Sequence, residues 1–129
     1  MNKSYISISD SEWRVMKVLW SDAPRTLNQI IEALSDTEWS TTTIQTYLAR
    51  LVKKGALSTK RQGKGYLYSP NISEEECQIV ESKSFLARVF NGSITNMVSG
   101  FIKSGNMTEK ELSALKALIE EQEGKHGHK

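Results

Sequence analysis

Apolar residues recur at helical spacing over most of this 129-residue chain, and the period changes once, near the middle. Residues 10–21 place Trp13, Met16, Leu19 and Trp20, with Val18 partly, on one side of a predicted helix. Asp22-Ala-Pro24 ends it, because proline disfavours helical backbone at the residue before it. A second helix over about 27–35 aligns Leu27, Ile30, Ile31 and Leu34. A third over about 41–54 carries Ile44, Tyr47, Leu48, Leu51 and Val52 at the spacing of one buried stripe. Its other face shows Thr42, Gln45, Thr46, Ala49, Arg50 and Lys53, which is polar and ends in positive charge. Helix starts are marked by capping boxes at Ser9-x-x-Glu12, Thr26-x-x-Gln29, Ser73-x-x-Glu76 and Thr108-x-x-Glu111.

Gly55 stops the third helix, and the pattern turns to short strands. Leu57-Ser-Thr-Lys-Arg61 and Tyr66-Leu-Tyr-Ser69 flank the glycine-rich turn Gln62-Gly-Lys-Gly65. Three helices and then a hairpin is the winged helix-turn-helix order, closed by Pro70-Asn71. Beyond Ser73 the spacing is helical again. One long helix or a broken pair over about 74–103 carries Phe85, Leu86, Val89, Phe90, Ile94, Met97, Val98, Phe101 and Ile102, with Asn91-Gly92 as the weak point. A last helix over about 109–122 presents Leu112, Leu115, Leu118 and Ile119. Helices this apolar on one face need a surface to cover them, either the first domain or another chain. The expected class is mainly α with a small β-hairpin. It comprises a winged-helix domain over 1–71, a helical dimerisation domain over 72–123 and a disordered tail over 124–129.

Charge sharpens this picture. The chain holds 17 basic and 15 acidic side chains, yet none of the acids lies between Glu38 and Glu74. Arg50, Lys53, Lys54, Lys60, Arg61 and Lys64 all fall in that window. Residues 1–70 carry ten basic against six acidic groups, and the remainder seven against nine. A polar helix face beside a basic hairpin suits a polyanion, and only the first half is charged for one.

Thr42, Gln45 and Thr46 project from the first turns of the third helix, where they could reach base edges in a major groove. Ser40, Thr41 and Thr43 lie at its start, where a helix N-terminus suits a phosphate. Arg50, Lys53, Arg61 and Lys64 would hold the DNA backbone and supply affinity without sequence information. Against this stands the plainer reading, in which Ser40–Thr43 only cap a helix and the lysines solvate a surface. Positioning contacts and base contacts are needed together, so the arrangement as a unit favours double-stranded DNA. The competing class is a winged helix that binds protein instead.

Other chemistry finds little purchase. The only histidines, His126 and His128, lie in the last four residues, away from any core that could position a base. No base accompanies the hydroxyls of Ser40–Thr43, so an enzyme is not expected. Gly63-x-Gly65 sits in a hairpin and is too short for a phosphate loop. Cys77 is the single cysteine, which excludes an internal disulfide and a cysteine-based zinc cage. His126-Gly-His128 reads as a solvated tail before a weak metal site, so no metal and no cofactor are expected. No apolar run is long enough to span a bilayer and the N-terminus lacks a signal-peptide pattern, so the expected setting is the cytoplasm without membrane insertion.

Several segments resemble one known family. Ile8-Ser-Asp-Ser-Glu-Trp-Arg-Val-Met-Lys-Val-Leu-Trp20 is similar to the opening of the BlaI/MecI/CopY repressors, which answer to penicillins, methicillin or copper. Residues 39–55 and Gly65-Tyr-Leu-Tyr-Ser-Pro70 resemble that family's recognition helix and wing. The likeness continues through residues 82–92 and 97–102. It implies a homodimeric repressor whose C-terminal helices pair while two recognition helices sit on a pseudo-palindromic operator. The dimer residues it implies are those of the apolar stripe from Phe85 to Ile119. Copper-responsive members end in a cysteine-rich tail, which this chain lacks, so the β-lactamase branch is favoured over a metal-responsive one. In that branch a membrane-bound β-lactam sensor triggers cleavage of an Asn-Phe bond, which corresponds here to Gly100-Phe101. Thr42 and Gln45 stand where penicillinase repressors commonly show Lys and Arg, implying a different operator sequence.

Overall fold

The computed structural model describes residues 6–126, leaving aside the His126 side chain. Its elements follow the order α1 Asp10–Ser21, β1 Arg25–Thr26, α2 Leu27–Ala33, α3 Thr41–Lys54, β2 Leu57–Gln62, β3 Gly65–Pro70, α4 Glu74–Phe90, α5 Ile94–Lys103 and α6 Glu109–His126. The four capping boxes close as their spacing predicts. Ser9 accepts from the Glu12 N–H at 3.2 Å, while the Glu12 carboxylate accepts from the Ser9 N–H at 3.0 Å. Thr26 with Gln29, Ser73 with Glu76 and Thr108 with Glu111 repeat the exchange. Each box satisfies donors that a helix start would otherwise leave unpaired.

Gly55 lies just past α3 in the left-handed region, at φ +87°. Its N–H bonds to the Val52 carbonyl at 3.0 Å, and that of Ala56 reaches Leu51 at 2.9 Å. These two bonds form a Schellman closure, which turns the chain directly into β2. Strands β2 and β3 pair antiparallel from Leu57 opposite Pro70 to Gln62 opposite Gly65, leaving Gly63-Lys64 as a two-residue turn. Gly63 has φ +58°, the conformation this tight hairpin needs at its first central position. The hairpin is not alone: β1 pairs with β3, so the sheet order is β1-β3-β2. A two-residue strand shows no periodicity to read, and only its tertiary pairing reveals it.

The chain divides into two compact units, one running through Ser84 and one from Phe85. In the first, α1 contributes Val15, Met16 and Leu19 to the core, α2 and its end Ile30 and Leu34, and α3 Ile44, Leu48 and Leu51. Trp13 and Trp20 are only partly buried, as edge anchors in a T-shaped contact at 5.3 Å. Trp20 Nε1 also donates to the Ile72 carbonyl at 2.9 Å. Ile72 and Cys77 complete this core. That is why the first unit continues past residue 71, where the expected domain closed.

In the second unit, Asn91 at φ +52° and Gly92 at φ +85° separate α4 from α5, so of the two expected forms the broken pair is the one present, interrupted at the expected point. Ser93 caps the new start by accepting from the Asn96 N–H at 3.0 Å. Helix α6 runs beyond the expected residue 122, through Glu123, Gly124 and Lys125 to His126. The disordered tail expected over 124–129 is therefore helical at residues 124–126, where Lys125 pairs with Glu121 one turn back at 3.6 Å. Residues 127–129, and with them His128, lie outside the described residues.

Candidate nucleic-acid interface

The buried stripe of α3 decides what its other face can do. Ile44, Leu48 and Leu51 are fully enclosed, and Tyr47 and Val52 pack at the core's edge. Thr42, Gln45, Thr46, Ala49, Arg50 and Lys53 are thereby turned to solvent, and all six are exposed. Trp39 steadies the approach to this helix in a T-shaped contact with Tyr47, at 5.0 Å between ring centroids.

At the helix start, Ser40 is the N-cap. Its Oγ accepts from the Thr43 N–H at 3.1 Å and lies 3.0 Å from Thr43 Oγ1. Both hydroxyls are therefore engaged within the turn, and Thr43 is half-buried. The capping reading holds for this pair. Thr41 and Thr42 differ: both are exposed, and their N–H groups point out of the first turn without an intrahelical acceptor. One turn on, Thr46 Oγ1 donates to the Thr42 carbonyl at 3.0 Å.

The basic residues of the acid-free window separate into two groups. Lys54 is not available to a ligand: its Nζ donates to Glu12 and, at 2.8 Å, to the Ser7 carbonyl. Glu12 is only 2% exposed, a buried acid that helical spacing alone did not mark as core. Burial by itself would raise its carboxyl pKa. The hydrogen bond from Lys54, those from Ser9 and the Lys54 charge outweigh that and hold it below the ordinary value. Outside the window, Arg14 pairs with Asp36, Lys17 with Glu74 and Arg25 with Asp22. Arg50, Lys53, Lys60, Arg61 and Lys64 are exposed and make no ion pair among the described residues. A cluster of cations left uncompensated beside a polar helix face makes a surface of positive potential, suited to an anion.

On the wing, Lys64 occupies the turn and Arg61 lies 5.7 Å over the Tyr66 ring, which orients its guanidinium. Lys60 is the neighbour on β2 that motif reading passed over; its exposure and free charge place it in the same set. Tyr68 packs against the core, and burial, with Tyr66 adding, raises its phenol pKa. Cys77 is 3% exposed, and burial, with the charges of Glu76 and Glu81 adding, pushes its thiol up to about 11. It remains protonated at neutral pH, which disfavours metal binding or nucleophilic chemistry there.

Residues 8–121 match the penicillinase repressor family. The chain belongs to that family. This penicillinase repressor family member is 42% identical over 120 residues to the penicillinase repressor of Bacillus licheniformis, covering 92% of this chain and 94% of that one. It is 31% identical over 119 residues to the methicillin resistance regulatory protein MecI of Staphylococcus aureus strain N315, covering 92% and 96%. The solution structure of the DNA-binding domain of the repressor BlaI covers 59% of the chain and 93% of its own, at 47% identity and TM-score 0.52. The family member's first unit therefore has the fold of a repressor's DNA-binding domain. Its five unpaired cations and the exposed face of α3 lie in the part of the chain with that fold.

In the second unit the apolar stripe stays largely uncovered. Ile94 and Leu118 are each 60% exposed, and Phe85, Val89, Phe101 and Ile119 are exposed as well. Phe90, Met97, Val98, Leu112 and Leu115 are partly covered, and Leu86 is buried. A groove of about 450 Å³ between α5 and α6 is lined by Ile94, Val98, Ile102, Leu115 and Ile119, with Lys103 at its edge. Gly100 and Phe101 are both exposed on α5. No helix among the described residues is long and apolar enough to cross a membrane.

Proposed function

We propose that this chain is a cytoplasmic transcriptional repressor that binds a pseudo-palindromic DNA operator as a homodimer and controls antibiotic-resistance genes of the β-lactamase type. The observation that carries this reading is the set of free cations, Arg50, Lys53, Lys60, Arg61 and Lys64, flanking an exposed polar face whose opposite side is locked in the core. Thr42 and Gln45 read base edges. Thr41 and the start of α3 meet a phosphate, and the wing and the end of α3 clamp the backbone. Family membership supports the same reading.

The dimer rests on the uncovered stripe of α4, α5 and α6. Exposed apolar side chains this numerous on one small unit mark a surface meant for a partner. A second copy gives the two-fold symmetry that a palindromic operator requires. Relief of repression is assigned to cleavage of Gly100-Phe101 on α5, downstream of a membrane-bound β-lactam sensor.

Binding to duplexes selected from a randomised pool tests the core of this reading. Lys64→Ala should weaken selected and random duplexes alike and flatten the logarithmic salt dependence by about 0.9 per lost phosphate contact. Gln45→Ala should relax preference at one position, by roughly 1–3 kcal/mol. Equal losses on both kinds of duplex for Gln45→Ala would remove it from base reading. A pool that yields no preferred sequence at low salt would favour the protein-binding alternative.

A further inference from the structure

The hydroxyl of Thr46 is already engaged. Its Oγ1 donates to the Thr42 carbonyl at 3.0 Å, so the proton that could be offered to a base is held against the preceding turn of α3. The side chain is nonetheless exposed, on the face opposite Ile44, Leu48 and Leu51. With the oxygen turned to the backbone, the outward part of Thr46 is its methyl group. Thr42 and Gln45, its exposed neighbours, have side chains free of such bonds among the described residues and keep their polar atoms for other partners.

From this difference we infer that Thr46 is a specificity-determining residue that reads a thymine by contact between its methyl and the thymine C5-methyl group, not by hydrogen bonding. The inference rests on the DNA-binding reading above and assigns the chemistry of one contact within it. Base edges in the major groove divide into hydrogen-bonding atoms and a single apolar feature, the thymine methyl. With its single donor held by the Thr42 carbonyl, Thr46 has no proton to offer a base and turns its methyl to that feature, while its oxygen keeps only acceptor capacity. Thr42 and Gln45 then read polar edges, and the three residues divide the groove between them.

The test uses the full chain and a duplex selected from a randomised pool, with each thymine replaced in turn by deoxyuridine, which lacks only the methyl. For the unaltered protein, one replacement per half-site should weaken binding about fourfold, the effect of one buried methyl group. Thr46→Val keeps a methyl and removes the hydroxyl, so it should retain that sensitivity. Thr46→Ser keeps the hydroxyl and removes the methyl, so its thymine-to-uracil ratio should fall to about one. Sensitivity kept by Thr46→Ser would show that another group meets the thymine methyl, and sensitivity lost by Thr46→Val would show that the Thr46 methyl does not carry the contact; either result overturns the inference. Insensitivity of the unaltered protein to every replacement would overturn the methyl contact while leaving operator binding intact. A pool that yields no preferred sequence would overturn operator recognition itself, and this contact with it.

Discussion

Glu12 shows how one residue can belong to two patterns at once. Its place in Ser9-x-x-Glu12 marks a helix start, and the structure confirms both capping bonds. Only the fold brings Lys54, 42 positions away, onto the same carboxylate. The consequence reaches the proposed function, because Lys54 leaves the set of cations proposed to meet DNA and instead ties the end of α3 to α1. The pair also sets an acid limit on stability. Glu12 has a lowered pKa in the folded chain, so its contribution is complete above the unfolded value of about 4.3 and is lost as pH falls through the folded one. Glu12→Gln should cost about 1–3 kcal/mol at neutral pH, toward the lower end because Lys54 is partly solvated. That gap should close as the pH is lowered toward about 3. Urea midpoints for the two proteins across that range measure it, and a gap that widens in acid would contradict the assignment.

At the scale of elements, α3 was legible almost to the residue. Its stripe, its Ser40 cap and its Gly55 stop are local features, and each follows from helical geometry and the backbone donors and acceptors at helix ends. Packing of that stripe is what presents Gln45 and Thr46. Leu48→Ala should therefore destabilise the first unit by about 2–5 kcal/mol in denaturant unfolding, and weaken DNA binding only as far as unfolding depletes the folded protein. Less was legible in β1, which is too short to have a pattern, and at the end of α6, where Gly124 and mixed charges read as tail. Within the candidate site, Lys60 was passed over because alternation along a strand does not separate a clamp residue from a solvated one. Lys54 looked equivalent to Lys53 because nothing local distinguishes adjacent lysines.

The whole molecule poses the question of what covers α4, α5 and α6. In the proposed dimer, Phe90 and Leu115 lie in the shared apolar surface. Phe90→Asp or Leu115→Asp should shift the monomer–dimer equilibrium toward monomer in sedimentation and reduce operator affinity with it. An unchanged equilibrium for both variants would place the partner elsewhere. The proposed DNA-binding surface is built within the first unit by residues of α3 and the wing, so its own geometry does not depend on that pairing.

The sequence by itself determined which faces are apolar, where helices begin and end, and that the middle of the chain is free of acids. Those features depend on spacing, capping chemistry and composition, all of which act within a few residues. Tertiary structure decided which charges remain free. Lys54 is paired with an acid from another helix, while Arg50, Lys53, Lys60, Arg61 and Lys64 meet none among the described residues. Pairing depends on distance in space, and residues 42 positions apart acquire one only when the chain folds.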